Sequence, residues 1–285
     1  MKPYSISEFV KYINVSRNKS DDIHITKYHD HKNLRLQSDA ITANFYLIAL
    51  KYDFENYEVF GQTNYDTGNA FAYFDLPHQP IQWSVKRPWS GYHILINETL
   101  FKRFAKDYNF LNYKNHESLF VTQEEEQLLI DLFKKAYDEY YKENFSIEIL
   151  LSYAQLILSY INTFYQRQFK TRSKKYNKVV SDFYKNLEAY FDESKAVFEL
   201  PSVSYFASKS NLSSNYFGDV IKHFTGNSPA EHIQEHLLLI AKNRLRQPDL
   251  SISQIAYSLG FDYPTYFTRF FKKKTGVTPT VFRKQ

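Results

Sequence analysis

The sequence predicts an α+β chain: a strand-rich N-terminal part, two long helices, then an all-helical C-terminal third. Three observations carry this. Residues 1 to about 120 are rich in Tyr, Phe and Asn, and hold short alternating or wholly apolar runs between Gly and Pro residues. From about residue 122 the apolar spacing becomes helical. Over the last hundred residues one pattern occurs twice, at offsets of 49 and 50 residues.

The chain of 285 residues has room for two domains with ordinary cores. It has no cysteine, which excludes disulfides, zinc-thiolate sites and thiol catalysis. Met1-Lys2-Pro3-Tyr4-Ser5 opens onto no apolar segment, so no secretory leader is expected. Apolar runs such as Phe45 to Leu50 are short, so no membrane span is expected. The net charge of +5 is unevenly spread. From Leu250 onward there are six basic residues against Asp262. A second basic run, Arg167, Lys170, Arg172, Lys174, Lys175 and Lys178, has no acid within it. Basic clusters suit anions or nucleic acid, although a solvated face has the same composition.

Phe45–Leu50, Phe71–Phe74 and Tyr92–Ile96 read as strands, with Gly61, Gly68, Pro77, Pro80, Pro88 and Gly91 between them. Thr122 and Glu125 form a capping box, and Leu128, Leu129, Leu132, Phe133, Ala136 and Tyr137 follow a helical period. A second helix begins after Asn144. Its stripe of Ile149, Tyr153, Ile157, Tyr160 and Phe164 is expected to serve both packing and self-association. Residues 169–176, basic and polar after Phe169, are expected to be a linker between a domain at 1–168 (helices about 122–168) and one at 177–285.

In the second copy, Ser251 and Gln254 make a capping box, and Ile252, Ile255, Ala256 and Leu259 face inward. Gly260 stops that helix, Phe261 plugs the turn, and Asp262 is expected to cap the next helix, with Pro264 in its first turn. Tyr266, Phe267, Phe270 and Phe271 are expected to face the core. Thr265, Thr268, Arg269, Lys272 and Lys273 then face solvent. The first copy repeats the skeleton with Ala207, Leu212 and Ser213. Tyr216, Phe217, Val220 and Ile221 are inward, and Ser214, Asn215, Gly218, Asp219 and Lys222 outward. Each copy, at about 202–226 and 251–276, describes a helix-turn-helix whose second helix fits a DNA major groove.

On these residues, the region from about 177 onward resembles the DNA-binding domain of the AraC/XylS family of transcription regulators. The resemblance lies in Ile255-Ala256, Gly260-Phe261, Tyr266-Phe267, Arg269, Phe271-Lys272, Gly276, Pro279 and Phe282-Arg283, echoed by Ala207, Leu212-Ser213, Tyr216-Phe217, Lys222, Thr225-Gly226 and Pro229. It implies seven helices and two recognition helices in successive major grooves, roughly 34 Å apart. By position, Asn215, Gly218, Asp219 and Lys222 would face one groove, and Pro264, Thr265, Thr268 and Arg269 the next, with Lys272 and Lys273 beside them. Asp219 departs from the family's usual arginine, as does His236 in the connecting helix. Tyr176–Asp249 carries 8 basic and 9 acidic residues. The second copy is therefore expected to supply most phosphate binding.

The same resemblance implies a cupin-like β-barrel followed by dimerisation helices for the N-terminal domain. Its interior would bind a small-molecule effector, with Tyr46, Tyr73, Trp83, Trp89 and Tyr92 as candidate lining. The expected partners are double-stranded DNA, the effector, a second copy of the chain and RNA polymerase, in the cytoplasm and without a membrane. No cofactor or metal is expected. His29 and His31 would share one strand face, with His78 and His93 elsewhere, but no cupin-type metal spacing is visible. No nucleophile elbow, phosphate loop or paired-acid motif appears, so no enzymatic activity is expected. The alternative is a cupin-type metal-dependent enzyme or sugar-binding module carrying a DNA-binding tail.

Overall fold

The computed structural model describes residues 2–15, 18–52, 61–66, 68–106, 108–114, 117–191, 199–247 and 249–284. Lys195, Asp192 and Glu193, which enter the charge count above, lie outside them. The chain divides into two compact units, Met1–Arg172 and Ser173–Gln285.

The first unit contains α1 (Ile6–Tyr12), β1 (Ile23–Lys27), β2 (Phe45–Tyr52), β3 (Ala70–Asp75), β4 (Ser90–Asn97), α2 (Glu98–Phe104), β5 (Leu119–Val121), α3 (Gln123–Tyr140) and α4 (Ile147–Thr171). The three expected apolar runs form the centres of β2, β3 and β4. All pairings are antiparallel, in the order β1-β4-β2-β3-β5. One face carries Phe45, Leu47, Ala49 and Leu95, which pack with Ile6, Phe9 and Val10 of α1. The other carries Ile48, Leu50, Ile94 and Ile96, all buried, on the side where Tyr92 meets Phe133 of α3.

The expected barrel is not closed: β1 and β5 are not paired with each other among the described residues. The chain leaves the sheet after three residues of β5, where Thr122 and Glu125 form the expected capping box of α3. α4 then covers the β5 edge. Gln168 Oε1 accepts from Phe120 N at 2.8 Å, and its Nε2 donates to Ser118 O at 3.2 Å. An edge occupied by a side-chain amide has no free ladder for another strand.

The basic run near 170 is not an irregular linker. Residues 169–171 end α4, Arg172 is its C-cap, and Ser173 starts α5 (Ser173–Tyr190). Phe169 and Tyr176 are buried anchors. Arg172 is 1% exposed, with its Nη2 2.6 Å from Asp66 Oδ2, and Arg167 Nε donates to Glu125 Oε1 at 3.0 Å. The acids that pair with Arg167 and Arg172, Glu125 and Asp66, are distant in sequence. At 25 residues α4 is also long and apolar enough by composition to cross a membrane, and its buried face packs on α3 and β5.

The second unit continues with α6 (Val203–Lys209), α7 (Ser214–Thr225), α8 (Pro229–Leu245), α9 (Ile252–Ser258), α10 (Pro264–Thr275) and α11 (Pro279–Arg283). With α5 these make seven helices among the described residues. The connecting helix α8 starts at Pro229, because Ser228 and Glu231 form a capping box there.

Candidate functional site

The sequence repeat is a repeat of helix bounds. α6 and α9 are related by an offset of 49 residues, α7 and α10 by 50. The left-handed turn residue is Asn211 (φ 58°) in the first copy and Gly260 (φ 85°) in the second. Leu212 and Phe261 follow as plugs, 9% and 7% exposed. The extra residue in the second turn is Asp262, and it does not cap α10. Tyr263 occupies the N-cap, with no side-chain bond, whereas Ser213 caps α7 by accepting from Tyr216 N. The insertion moves Asp262 one position too early to reach the orphan N–H groups.

Both second helices stop in the same way. Thr225 Oγ1 donates to Ile221 O at 2.7 Å and Thr275 Oγ1 to Phe271 O at 2.8 Å. Gly226 (φ 84°) and Gly276 (φ 81°) then take the left-handed C-cap position.

On α7, Asn215 and Lys222 are exposed, and Gly218 and Asp219 are half-buried. Their i, i+3, i+4, i+7 spacing gives them one face. On α10, Thr265, Arg269, Lys272 and Lys273 are exposed, and Pro264 and Thr268 half-buried. Thr268 donates its hydroxyl to Pro264 O at 3.0 Å. It therefore offers outward a methyl group and acceptor lone pairs rather than a donor. Lys272, Lys273 and Lys274 fill the last turn of α10, where they also complement the helix dipole.

Tyr266 and Phe270 do not follow the expected inward stripe. Phe267 and Phe271 are fully buried, Phe270 is half-buried, and Tyr266 is 52% exposed. Its repeat mate Tyr216 is 1% exposed, because α5 packs on α7 and Tyr176 bonds hydroxyl to hydroxyl with Tyr216. α8, which precedes the second copy as α5 precedes the first, packs instead on α7, α9 and α11. Tyr257 and Tyr263 are exposed as well, and the Tyr263 and Tyr266 rings lie 5.5 Å apart. No local signal distinguishes this tyrosine surface from a core stripe.

In the first unit, Tyr73, Trp83 and Trp89 line a cavity of about 110 Å³. The other two expected lining residues do not. Tyr46 stacks on Phe101 at 3.8 Å, and Tyr92 lies on the opposite sheet face against Phe133. Strand alternation separates Tyr92 from its neighbour His93, which does line the cavity. Sequence reading also missed Lys51 and Asp75. A lysine two residues beyond Ala49 and an aspartate two beyond Tyr73 in apolar runs were the available signals.

Tyr73 Oη donates to Asp75 Oδ1 at 2.8 Å. Lys51 Nζ sits over the Tyr73 ring at 4.4 Å, Trp89 at 5.1 Å and Phe71 at 5.9 Å. Burial pushes Lys51 down to about 8, opposed by Asp75. Burial pushes Asp75 up to about 6, opposed by Tyr73 and Lys51. Burial also holds His93 well below the usual histidine range.

His29 and His31 do not share a strand face: His29 lies in a 3₁₀ turn, Tyr28–Asp30, and His31 is its C-cap. His78 pairs with Glu98 at 3.0 Å. Of the expected self-association stripe, Ile157 and Phe164 are buried within the unit. Ile149 is 44% exposed, and Tyr153 and Tyr160 are half-buried. Leu156, 42% exposed, completes an open stripe at 149, 153, 156 and 160.

A family described as a helix-turn-helix domain matches residues 206–285. Probable transcription factor PqrA of Proteus vulgaris is 33% identical over 106 residues, 37% of this chain and 84% of the relative. The MmsAB operon regulatory protein of Pseudomonas aeruginosa is 31% identical over 100 residues, 35% of this chain and 32% of the relative. HTH-type transcriptional activator RhaR of Cronobacter sakazakii is 30% identical over 83 residues, 29% of each chain. The chain thus spans about a third of the length of these last two. Among solved structures, the C-terminal domain of AraT, a response regulator from Geobacillus stearothermophilus, has 26% identity and a TM-score of 0.33. The match covers 37% of this chain and 84% of that one.

Proposed function

Because the chain belongs to the AraC/XylS family of transcription regulators, we infer that it regulates transcription by placing α7 and α10 in successive major grooves of one DNA duplex. The observation that supports this best is the duplicated helix-turn-helix, repeated in helix bounds and in the Thr-Gly stops of both second helices. Asn215, Gly218, Asp219 and Lys222 face one groove. Pro264, Thr265, Thr268 and Arg269 face the next, with Lys272 and Lys273 toward phosphates. Arginine is suited to guanine edges and lysine to phosphates, while Asp219 only accepts, for example from a cytosine amino group. The second copy supplies most of the affinity, because its basic residues are exposed and its acids are few.

The first unit is the sensor and dimerisation part. The cavity at Tyr73, Trp83 and Trp89 holds the small-molecule effector, in an open cupin-like sheet rather than a closed barrel. The stripe Ile149, Tyr153, Leu156 and Tyr160 pairs two copies. RNA polymerase is the further partner, the cytoplasm the compartment, and regulation rather than catalysis the activity. Selection of bound duplexes from a random pool, followed by anisotropy at several salt concentrations, tests the reading. It predicts a defined sequence whose affinity falls steeply with salt. Equal retention of all sequences, or salt-independent binding, contradicts it.

A further inference from the structure

We propose that the cavity over the β2–β3–β4 face takes a small monocarboxylate, its carboxylate between Lys51 Nζ and His93 Nε2 and its apolar body against Trp83 and Trp89. This rests on reading the cavity as the effector site.

The strand register sets up the polar end. Lys51 pairs with Gly91 on β4 and Phe71 on β3, while Ala49 pairs with His93 and Tyr73. Lys51, His93 and Tyr73 therefore share one sheet face, with Lys51 and His93 as diagonal neighbours, close enough for long side chains to share a ligand. Glycine opposite Lys51 leaves that position without a side chain. At φ 129°, a Cβ there would stand 2.0 Å from Leu50 O, so no other residue fits.

The Lys51 ammonium has three donors, yet among the described residues it packs on aromatic rings with no hydrogen bond or ion pair within 4.0 Å, and feels the Asp75 carboxylate only at longer range. Ring faces offset only part of a buried charge. Asp75 is two register positions further along the same face, opposite Leu47, and is engaged by Tyr73. His93 is 2% exposed, and its Nε2 has no hydrogen-bond partner. Burial keeps the imidazole neutral, so as the Nε2–H tautomer it is a single donor awaiting an acceptor. One carboxylate, with two oxygens, satisfies both groups at once. It also matches the charge: Lys51 and Arg35 against Asp75 leave one positive charge at the cavity. The volume, about 110 Å³, is below the ~150 Å³ of an engineered cavity that holds benzene, so it favours a short branched chain and makes a six-membered ring the upper limit.

Both tryptophans of the chain line this cavity, so intrinsic fluorescence of the full-length protein reports occupancy. The probes are benzoate, cyclohexanecarboxylate and 4-methylpentanoate, each beside its primary amide. At least one acid is expected to give a saturable change at pH 7, with its amide binding about tenfold more weakly. Lys51→Met is expected to lose about tenfold of the acid's affinity, and His93→Gln, a second variant in case the first repacks the cavity, a smaller part of it. Acid affinity should fall as pH rises past about 8, where the ammonium loses its proton. No saturable response to any acid, or both variants binding like the wild type, overturns the proposal. Equal binding of acid and amide overturns the carboxylate assignment and leaves the effector reading standing. An acid that binds through Lys51 without altering DNA affinity counts against the effector reading alone.

Discussion

Three glycines of the second unit share nearly one backbone conformation, and alanine at each separates conformational strain from steric overlap. Gly226, Gly260 and Gly276 have φ of 84°, 85° and 81°. A Cβ at Gly226 or Gly276 meets nothing within 4 Å. At Gly260 it would lie 2.6 Å from the carbonyl carbon of Glu199, 2.7 Å from its oxygen and 2.9 Å from Leu200 N. The left-handed conformation costs an L-residue roughly 1–2 kcal/mol. Lower entropy in the unfolded chain returns roughly 0.4–1 kcal/mol of this. Gly226→Ala and Gly276→Ala are therefore expected to cost about 1 kcal/mol each. Gly260→Ala adds an overlap with backbone, which cannot rotate away, and overpacking of this kind costs typically 1–3 kcal/mol. The expected total is about 2–4 kcal/mol. Calorimetry of the full chain should show Tm losses in that proportion, at roughly 4 °C per kcal/mol for a domain of about a hundred residues. A Gly260→Ala loss no larger than the other two would refute the close approach of the turn to Glu199.

Arg269→Ala should weaken binding to the selected duplex by about 1–3 kcal/mol, measured by anisotropy at fixed salt. Asn215→Ala should cost less, and equal losses, or a greater one for Asn215→Ala, contradict the unequal roles of the two copies. Lys51→Met should stabilise the ligand-free protein at pH 7 by about 3 kcal/mol in urea melts. The sign follows from a lysine whose folded value is lowered from 10.5 to about 8: the unfolded chain holds the proton more tightly, so the penalty is full below about 8 and vanishes above 10.5. Stability should also fall as pH drops below about 6.5. Burial lowers His24 to about 3 and His93 well below its usual value, so the unfolded state takes up protons first. His24 alone contributes up to about 1.4 kcal/mol per pH unit in that window. Asp75, raised to about 6, opposes this below that pH. A flat urea midpoint between pH 7.5 and 5.5 would contradict the burial of both histidines.

The second unit was legible because its signals are local. Ser251 with Gln254, Thr225-Gly226 and Thr275-Gly276 fix helix ends through bonds within a few residues, and their spacing alone locates the helices. What escaped depends on distant partners. Tyr216 and Tyr266 match in sequence and differ in burial because only one has Tyr176 over it. Arg172 reads as a linker charge until Asp66, far earlier in the chain, is seen beside it. That α4 lies along the β5 edge shows only in the bond from Phe120 N to Gln168, 48 residues later. At the cavity, aromatic composition found Tyr73, Trp83 and Trp89. Lys51 and His93 were recognisable only once register placed them on one face.

The central claim is that one chain reads DNA with two helices at once. Hydroxyl-radical footprinting on a selected duplex tests it most directly. The account predicts two protected patches on one side of the helix, about one turn, or 10 base pairs, apart. Arg269→Ala should weaken the patch under α10 more than the patch under α7. A single patch, or two patches on opposite sides of the duplex, would contradict the account.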